Sequence, residues 1–192
     1  MVFSVQPFIL ASKSPRRREI LQMLGIPFEI YDRKSHWEDS QLKDPGQYVL
    51  EVAEKKAIEP RSFFKTGIVL TADTIVYCDE EILGKPIDKI DATAMIAKLQ
   101  GKTHQVYTGI CLSDCAHNIS RSAYEITDVT FAPMSQNEIE WYINGGEYPD
   151  KAGAYAVQGK ASLFITGIKG CFFNVVGLPV RKLFVLSKDM II

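Results

Sequence analysis

Three stretches of the chain bring residues capable of chemistry close together. The first is Ser12-Lys13-Ser14-Pro15-Arg16-Arg17-Arg18, directly after the apolar run Phe8-Ile9-Leu10-Ala11. Ser14 suits a helix N-cap and Pro15 the first helical position. A helix start offers unpaired N–H groups and the positive end of the dipole, and both favour an anion. Lys13 and three arginines crowded there oppose the helix's own dipole, whereas a bound polyphosphate would offset them and use the arginine forks. The plainer alternative is a solvated basic turn. The second stretch is Ile68-Val69-Leu70-Thr71-Ala72 followed by Asp73. It predicts a buried strand that ends in an acid, the place where open α/β sheets hold ligands. Asp73 would there bind a hard divalent cation, accept a proton from water, or simply form a turn. The third is Asp150-Lys151-Ala152-Gly153-Ala154-Tyr155-Ala156-Val157-Gln158-Gly159. Its small residues allow close backbone approach. Gln158 carries both a donor and an acceptor, as the imide edge of a pyrimidine requires. An ordinary glycine-rich surface loop is the alternative.

Other groupings carry less. Gly84-Lys85-Pro86 holds a lysine in a stiff loop, but neither it nor Gly101-Lys102 has P-loop spacing. Cys111-x3-Cys115-x-His117 lacks an evident fourth metal ligand, and Cys111 lies on an apolar strand. His36 and His104 are single histidines, and no HExxH, GxGxxG or GxSxG occurs.

These residues need elements to position them. A strand over 8–11 leads into a helix from Ser14 that Gly25 stops, with Ile20, Leu21 and Leu24 on one face. A second strand is expected over 27–31 and a helix over 46–58, where Val49, Val52, Ala53 and Lys56 recur at helical spacing. Residues 74–77 and 82–83 predict a hairpin around Asp79-Glu80-Glu81, and 91–99 a helix closed by Gly101. Residues 105–112 and 123–131 read as long antiparallel strands. Ser135-Gln136-Asn137-Glu138 is a capping box that opens a helix to about Asn144. Residues 163–168 and 171–176 read as a hairpin around Lys169-Gly170, and Pro179 opens a last helix. Strands and helices alternate early and strands dominate late, so the fold class is α/β with a mixed sheet, or α+β.

Composition narrows the function. The chain has 192 residues, with 22 Lys+Arg against 23 Asp+Glu, a net charge of −1. That balance argues against binding nucleic acid through a bulk positive field. A hydrophobic content of 46% fits a globular protein with a real core, and four cysteines are too few for a disulfide scaffold. No apolar run is long enough to span a bilayer. The N-terminal charges follow the apolar stretch, the reverse of a secretory signal, which predicts a cytoplasmic chain with reduced thiols.

Taken in order, Ser12-x-Ser14-Pro15-Arg16-Arg17, Ala72-Asp73-Thr74-x-Val76, Gly84-Lys85-Pro86 and Asp150-Lys151-Ala152-Gly153-Ala154-Tyr155-x-x-Gln158-Gly159 resemble the Maf family of nucleoside triphosphate pyrophosphatases, also called septum formation inhibitor-like proteins. The match runs from Ile9 to about Leu186. The resemblance implies one domain over 1–192, with a long twisted mixed sheet, flanking helices and two lobes around a central cleft. It implies cleavage between the α and β phosphates, giving a nucleoside monophosphate and pyrophosphate, with a divalent cation such as Mg. Asp73 would accept the proton of the attacking water and touch the metal. Ser12, Arg16, Arg17 and Lys85 would hold phosphates, and Lys55 falls where the family keeps a site lysine. The family's metal-side glutamate has no exact counterpart in Ser35-His36-Trp37-Glu38-Asp39-Ser40, and a shift of one residue selects Glu38. Arg16, Thr74 and Gln158 correspond to specificity positions. Lys102-Thr103-His104 and Gln158 look like the dTTP/UTP branch, since the branch acting on 7-methylated guanosine triphosphate tends to have an acid at the Gln158 position. A neutral amide suits uracil and thymine, and a carboxylate suits a cationic methylated guanine. The alternatives are that branch or a non-enzymatic regulator of septum formation. The implied partner is the nucleotide, with no nucleic acid or membrane and with homodimers as the family tendency.

Overall fold

The computed structural model describes residues 8–32, 40–188 and 190. Among them a seven-stranded mixed sheet and six α-helices alternate. The order along the chain is β1 (Phe8–Leu10), α1 (Pro15–Met23), β2 (Phe28–Ile30), α2 (Pro45–Phe63), β3 (Ile68–Cys78), β4 (Glu81–Leu83), α3 (Lys89–Leu99), β5 (Thr103–Asp114), β6 (Ile119–Phe131), α4 (Gln136–Asn144), β7 (Ile165–Lys169), α5 (Phe172–Val176) and α6 (Val180–Lys188). In the sheet the strands run β2-β1-β3-β5-β6-β7, with β4 on β3. β1 is parallel to β2 and β3, whereas β3 with β4 and β6 with β7 are antiparallel. Cross-strand side-chain bonds Thr103–Thr130 (2.8 Å) and Ser113–Ser120 (2.8 Å) fix β5 and β6 as one long antiparallel hairpin. The α/β class with a mixed sheet is therefore as the sequence predicts.

The chain divides into two compact units. The first takes in Met1–Asp73, Thr108–Glu125 and Gly177–Ile192, and the second Thr74–Tyr107 and Ile126–Val176. In the first, Ile9, Tyr31, Ala53, Ala57, Val69 and Cys111 form a core cluster between sheet and α2. Gly109 lets α2 approach β5 closely, because a Cβ there would lie 2.4 Å from the Val49 carbonyl oxygen. The Thr71 hydroxyl donates to the Ala53 carbonyl (2.6 Å), which ties β3 to the same helix. In the second unit α3 and α4 pack on Val76, Val106, Val129 and Phe131. The Ser135 capping box forms as expected. A buried ring cluster lies beside it: His104 packs edge-on to Phe131 and Tyr155, with centroids 5.3 and 5.4 Å away.

Three elements differ from the sequence reading. α2 continues past residue 58 to Phe63, with Pro60 inside it. Pro60 removes one helical donor, but its carbonyl still takes the Phe64 N–H (3.3 Å), and Tyr31, Phe63 and Phe64 stack around the last turn. β3 does not end at Asp73. It runs unbroken to Cys78, because residues 74–78 keep a strand-forming pattern and the acid finds a cation. Residues 172–176 form a short helix rather than the second arm of a hairpin. There the buried Asn174 amide donates to the Val106 carbonyl (2.9 Å) and the Thr127 hydroxyl (3.0 Å), while Thr127 also bonds the Cys171 N–H (3.0 Å). Those side-chain bonds replace a strand ladder.

Burial holds the His104 pKa down at about 4, so the ring is neutral in the folded protein. An unfolded histidine titrates near 6.5, and the unfolded chain therefore binds more protons between pH 6.5 and 4. The stability this contributes is complete above pH 6.5 and is lost as pH falls toward 4. Urea unfolding should show a loss on the order of 2 kcal/mol between pH 7 and pH 5 from this group, and His104→Phe should flatten that part of the profile. An unchanged slope in the variant would place the acid sensitivity elsewhere.

Candidate active site

The helix start at α1 is built as the sequence predicts, with one difference. Ser14 is the N-cap in extended conformation and Pro15 follows it, but no side chain caps the helix. The Ser12 hydroxyl accepts instead from the Ser14 N–H (3.2 Å) and from Arg17 (3.1 Å). The first turn carries no acid.

Arg17 is the centre of this corner. Its Nε donates to the Gly177 carbonyl (2.7 Å), and one terminal nitrogen donates to both the Ala72 carbonyl (2.9 Å) and Ser12. One side chain thus joins the loop after β1, the middle of β3 and the residue that leads toward α6. Burial pushes its pKa down to about 10, against a favourable field from Asp73 and with a smaller push in the same direction from Arg16. It remains a cation at any physiological pH.

Asp73 lies on β3 beside the Ala72 carbonyl that Arg17 binds. Its carboxylate, 16% exposed, accepts from the Lys56 ammonium at 2.6 Å, and Lys56 is 19% exposed. Lys56 reaches the strand from α2. The neighbouring lysine, Lys55, pairs with Glu51 one turn back (2.8 Å). Lys55 lines a cavity of about 330 Å³ with Glu54, Ile58, Arg61 and Cys111, to which Asp73 does not contribute. The resemblance puts Lys55 at the site, and the lysine paired with Asp73 is Lys56. Its signal was present: a lysine recurring at the spacing of Val49, Val52 and Ala53 faces the sheet, and a cation facing a sheet needs an acid. Glu38 lies outside the described residues.

Arg16 follows Pro15 in the first turn of α1, and the remaining candidates belong to the second unit. Thr74 follows Asp73 on β3 and is half-buried. Two of the motifs meet: Gly153 N–H donates to the Gly84 carbonyl (2.9 Å), and Lys85 pairs with Asp150 (3.2 Å), both side chains well exposed. Gln158 is exposed in the same loop. His104, the last residue of the Lys102-Thr103-His104 stretch, has its Nε2 2.8 Å from the Tyr155 hydroxyl. Among the described residues no three His, Cys, Asp or Glu side chains gather as a metal cage, so the Cys111, Cys115 and His117 grouping is not one, and His117 bonds Asp114 instead (3.0 Å). No helix among them is long and apolar enough to cross a membrane.

A profile of Maf-like proteins matches residues 7–190. The chain belongs to the Maf family. Among relatives, a dTTP/UTP pyrophosphatase of Caldanaerobacter subterraneus is 48% identical over 183 residues, covering 93% of this Maf chain and 86% of the relative. A dTTP/UTP pyrophosphatase of Desulforamulus reducens is 42% identical over 179 residues, covering 93% and 94%. A third, from Bacillus pumilus, is 44% identical over 174 residues, covering 91% of both.

The bonds of Arg17 make it a structural tie as well as a cation. Arg17→Ala should cost about 3 kcal/mol of unfolding free energy, since carbonyls of Ala72 and Gly177 lose a charged donor together. Arg17→Lys should recover little, because a point charge cannot serve three acceptors in different directions. Chemical denaturation of the two variants checks this, and a loss under about 0.5 kcal/mol for Arg17→Ala would show that the tie holds nothing.

Proposed function

We propose that this Maf-family chain hydrolyses nucleoside triphosphates between the α and β phosphates, releasing a nucleoside monophosphate and pyrophosphate, with preference for dTTP and UTP. The observation that carries the chemistry is Asp73, a half-buried carboxylate fixed on a sheet strand by Lys56 and lying in the field of Arg17. Relatives that share 42–48% identity and are dTTP/UTP pyrophosphatases support the substrate.

The roles follow from charge and position. Asp73 orients a water and takes its proton as the oxygen attacks the α phosphorus. The bond to the bridging oxygen breaks, and pyrophosphate leaves with that electron pair. Arg16 and the α1 start attract the phosphates, and Ser12 holds Arg17 in place. Lys56 sets the orientation of the Asp73 carboxylate and adds positive charge beside it, while Lys55 is the site lysine that the resemblance implies. Lys85, which pairs with Asp150, is a second phosphate cation. Thr74, Arg16 and Gln158 select the base. A single hard carboxylate without thiolate or imidazole suits Mg²⁺, which commonly takes one or two carboxylates and completes its shell with water and phosphate oxygens. Asp73, with Glu38, would hold such an ion, and its chemistry is to neutralise phosphate charge. The enzyme acts on free nucleotides in the cytoplasm, as a homodimer, without nucleic acid or membrane.

Asp73→Asn keeps the shape and removes the base. Pyrophosphate release from UTP should fall at least about 10²-fold, the usual scale for loss of a general base. The Lys56 pair is lost at the same time, so rates must be referred to folded protein. Near-normal turnover would remove Asp73 from the reaction.

Gln158→Glu tests the base. The change sets a carboxylate against a ring carbonyl of uracil, costing on the order of 1–3 kcal/mol against UTP and dTTP. The same charge favours 7-methylated guanosine triphosphate, so the ratio of kcat/KM between UTP and that nucleotide should fall. An unmoved ratio would show that Gln158 does not read the base.

A further inference from the structure

His104 and Tyr155 are buried polar rings of the second unit that the reaction above does not use. His104 is 2% exposed at the start of β5, and Tyr155 is 6% exposed within the 150–159 loop. The imidazole Nε2 and the phenol oxygen lie 2.8 Å apart, and Phe131 packs against Tyr155 with centroids 5.0 Å apart. Burial depresses the His104 pKa. Tyr155 is raised by burial and then by Tyr142, whose own hydroxyl donates to the Ala154 carbonyl (3.1 Å). The hydrogen bond is therefore between two neutral groups, in a medium where a bond is strong and an unmade one is costly.

The loop these rings hold is strained. Asp150, Gly153 and Ala154 have φ of 60°, 64° and 62°. The left-handed region disfavours an alanine, so surrounding contacts must impose it. Gly153 is pressed against β3, where a Cβ would lie 2.7 Å from the Val76 side chain. Tyr155 comes directly after this strained pair. Three residues later comes Gln158, itself exposed.

We propose that the His104–Tyr155 pair is a positioning device that holds the 150–159 loop so that the Gln158 amide meets the pyrimidine in one orientation. The inference rests on the reading of Gln158 as the base-selecting residue. Neither ring touches the substrate. Their effect passes along the backbone from Tyr155 to Gln158, and the contact of Tyr142 with Ala154 supports the same segment.

Four variants test it: Tyr155→Phe, His104→Phe, the double variant, and His104→Gln, whose amide nitrogen reaches about as far as Nε2. One neutral hydrogen bond of about 1 kcal/mol corresponds to about fivefold. In Tyr155→Phe the kcat/KM ratio for UTP over GTP should fall about fivefold, through the KM for UTP, with kcat within about twofold. His104→Phe should do the same, the double variant should add nothing, and His104→Gln should keep the wild-type ratio. Backbone amide exchange over 154–159 in the nucleotide-free protein should rise about fivefold in the first three variants. Equal losses on both nucleotides, or unchanged exchange in Tyr155→Phe, would overturn the proposal. A wild-type protein that releases no pyrophosphate from UTP would overturn the functional reading instead, and the exchange data would still decide whether the rings hold the loop.

Discussion

A carboxylate half-buried in the middle of a sheet strand must be answered by positive charge, and the first unit is arranged around that requirement at Asp73. A carboxylate taken out of water without a partner loses hydration that nothing replaces. Lys56 answers it from α2 and Arg17 from α1. Each cation is placed by a different device. Lys56 depends on how closely α2 lies on the sheet, which Gly109 permits and the Thr71–Ala53 bond fixes. Arg17 depends on Ser12, Ala72 and Gly177, acceptors from three separate parts of the chain. The charge cluster is therefore an outcome of packing, and packing errors at either helix would leave the acid with too little compensation.

The second unit solves a different problem, holding an irregular loop without a metal cage or a disulfide. Its two cysteines, Cys78 and Cys171, are free. The 150–159 loop is fixed by bonds to separate anchors: Gly84 through Gly153, Tyr142 through Ala154, and His104 through Tyr155. The same economy appears at 171–176, where one asparagine and one threonine replace a strand. Polar groups buried in this way specify one arrangement strongly, because each alternative leaves a group unpaired.

The elements that the sequence predicted well are those with local causes. The Ser135 capping box, the Pro15 helix start and the Asp79-Glu80 turn, both left-handed at φ 50° and 62°, depend only on neighbouring residues. The misread elements depend on distant partners. β3 continues through Asp73 because a lysine 17 residues earlier compensates it. Residues 172–176 look like a strand by composition, and only the contacts of Asn174 with Val106 and Thr127 make them helical. The site shows the same division. The motifs of Ser12–Arg17, Asp73, Gly84–Pro86 and Asp150–Gly159 were visible as clusters, and the bonds from Gly84 to Gly153 and from Lys85 to Asp150 join two of them. Lys56 was visible only as a periodic position, and the choice between it and Lys55 is a matter of about 100° around a helix, which spacing near a boundary does not decide.

Arg17 shows why the corner proposed to bind phosphate would resist dissection by charge alone. A side chain that only attracted phosphate would be dispensable for folding, and a side chain that only tied strands would be silent in binding. Arg17 has Nε and one terminal nitrogen committed to protein acceptors, yet it remains cationic beside Asp73. Its structural bonds hold its charge in a fixed place, so the field at Asp73 needs no rearrangement when a nucleotide arrives. A preorganised charge of that sort acts more strongly on a developing anion than a mobile one, since its orientation cost is met during folding. The strength of the site and the stability of the first unit are thus carried by the same three bonds.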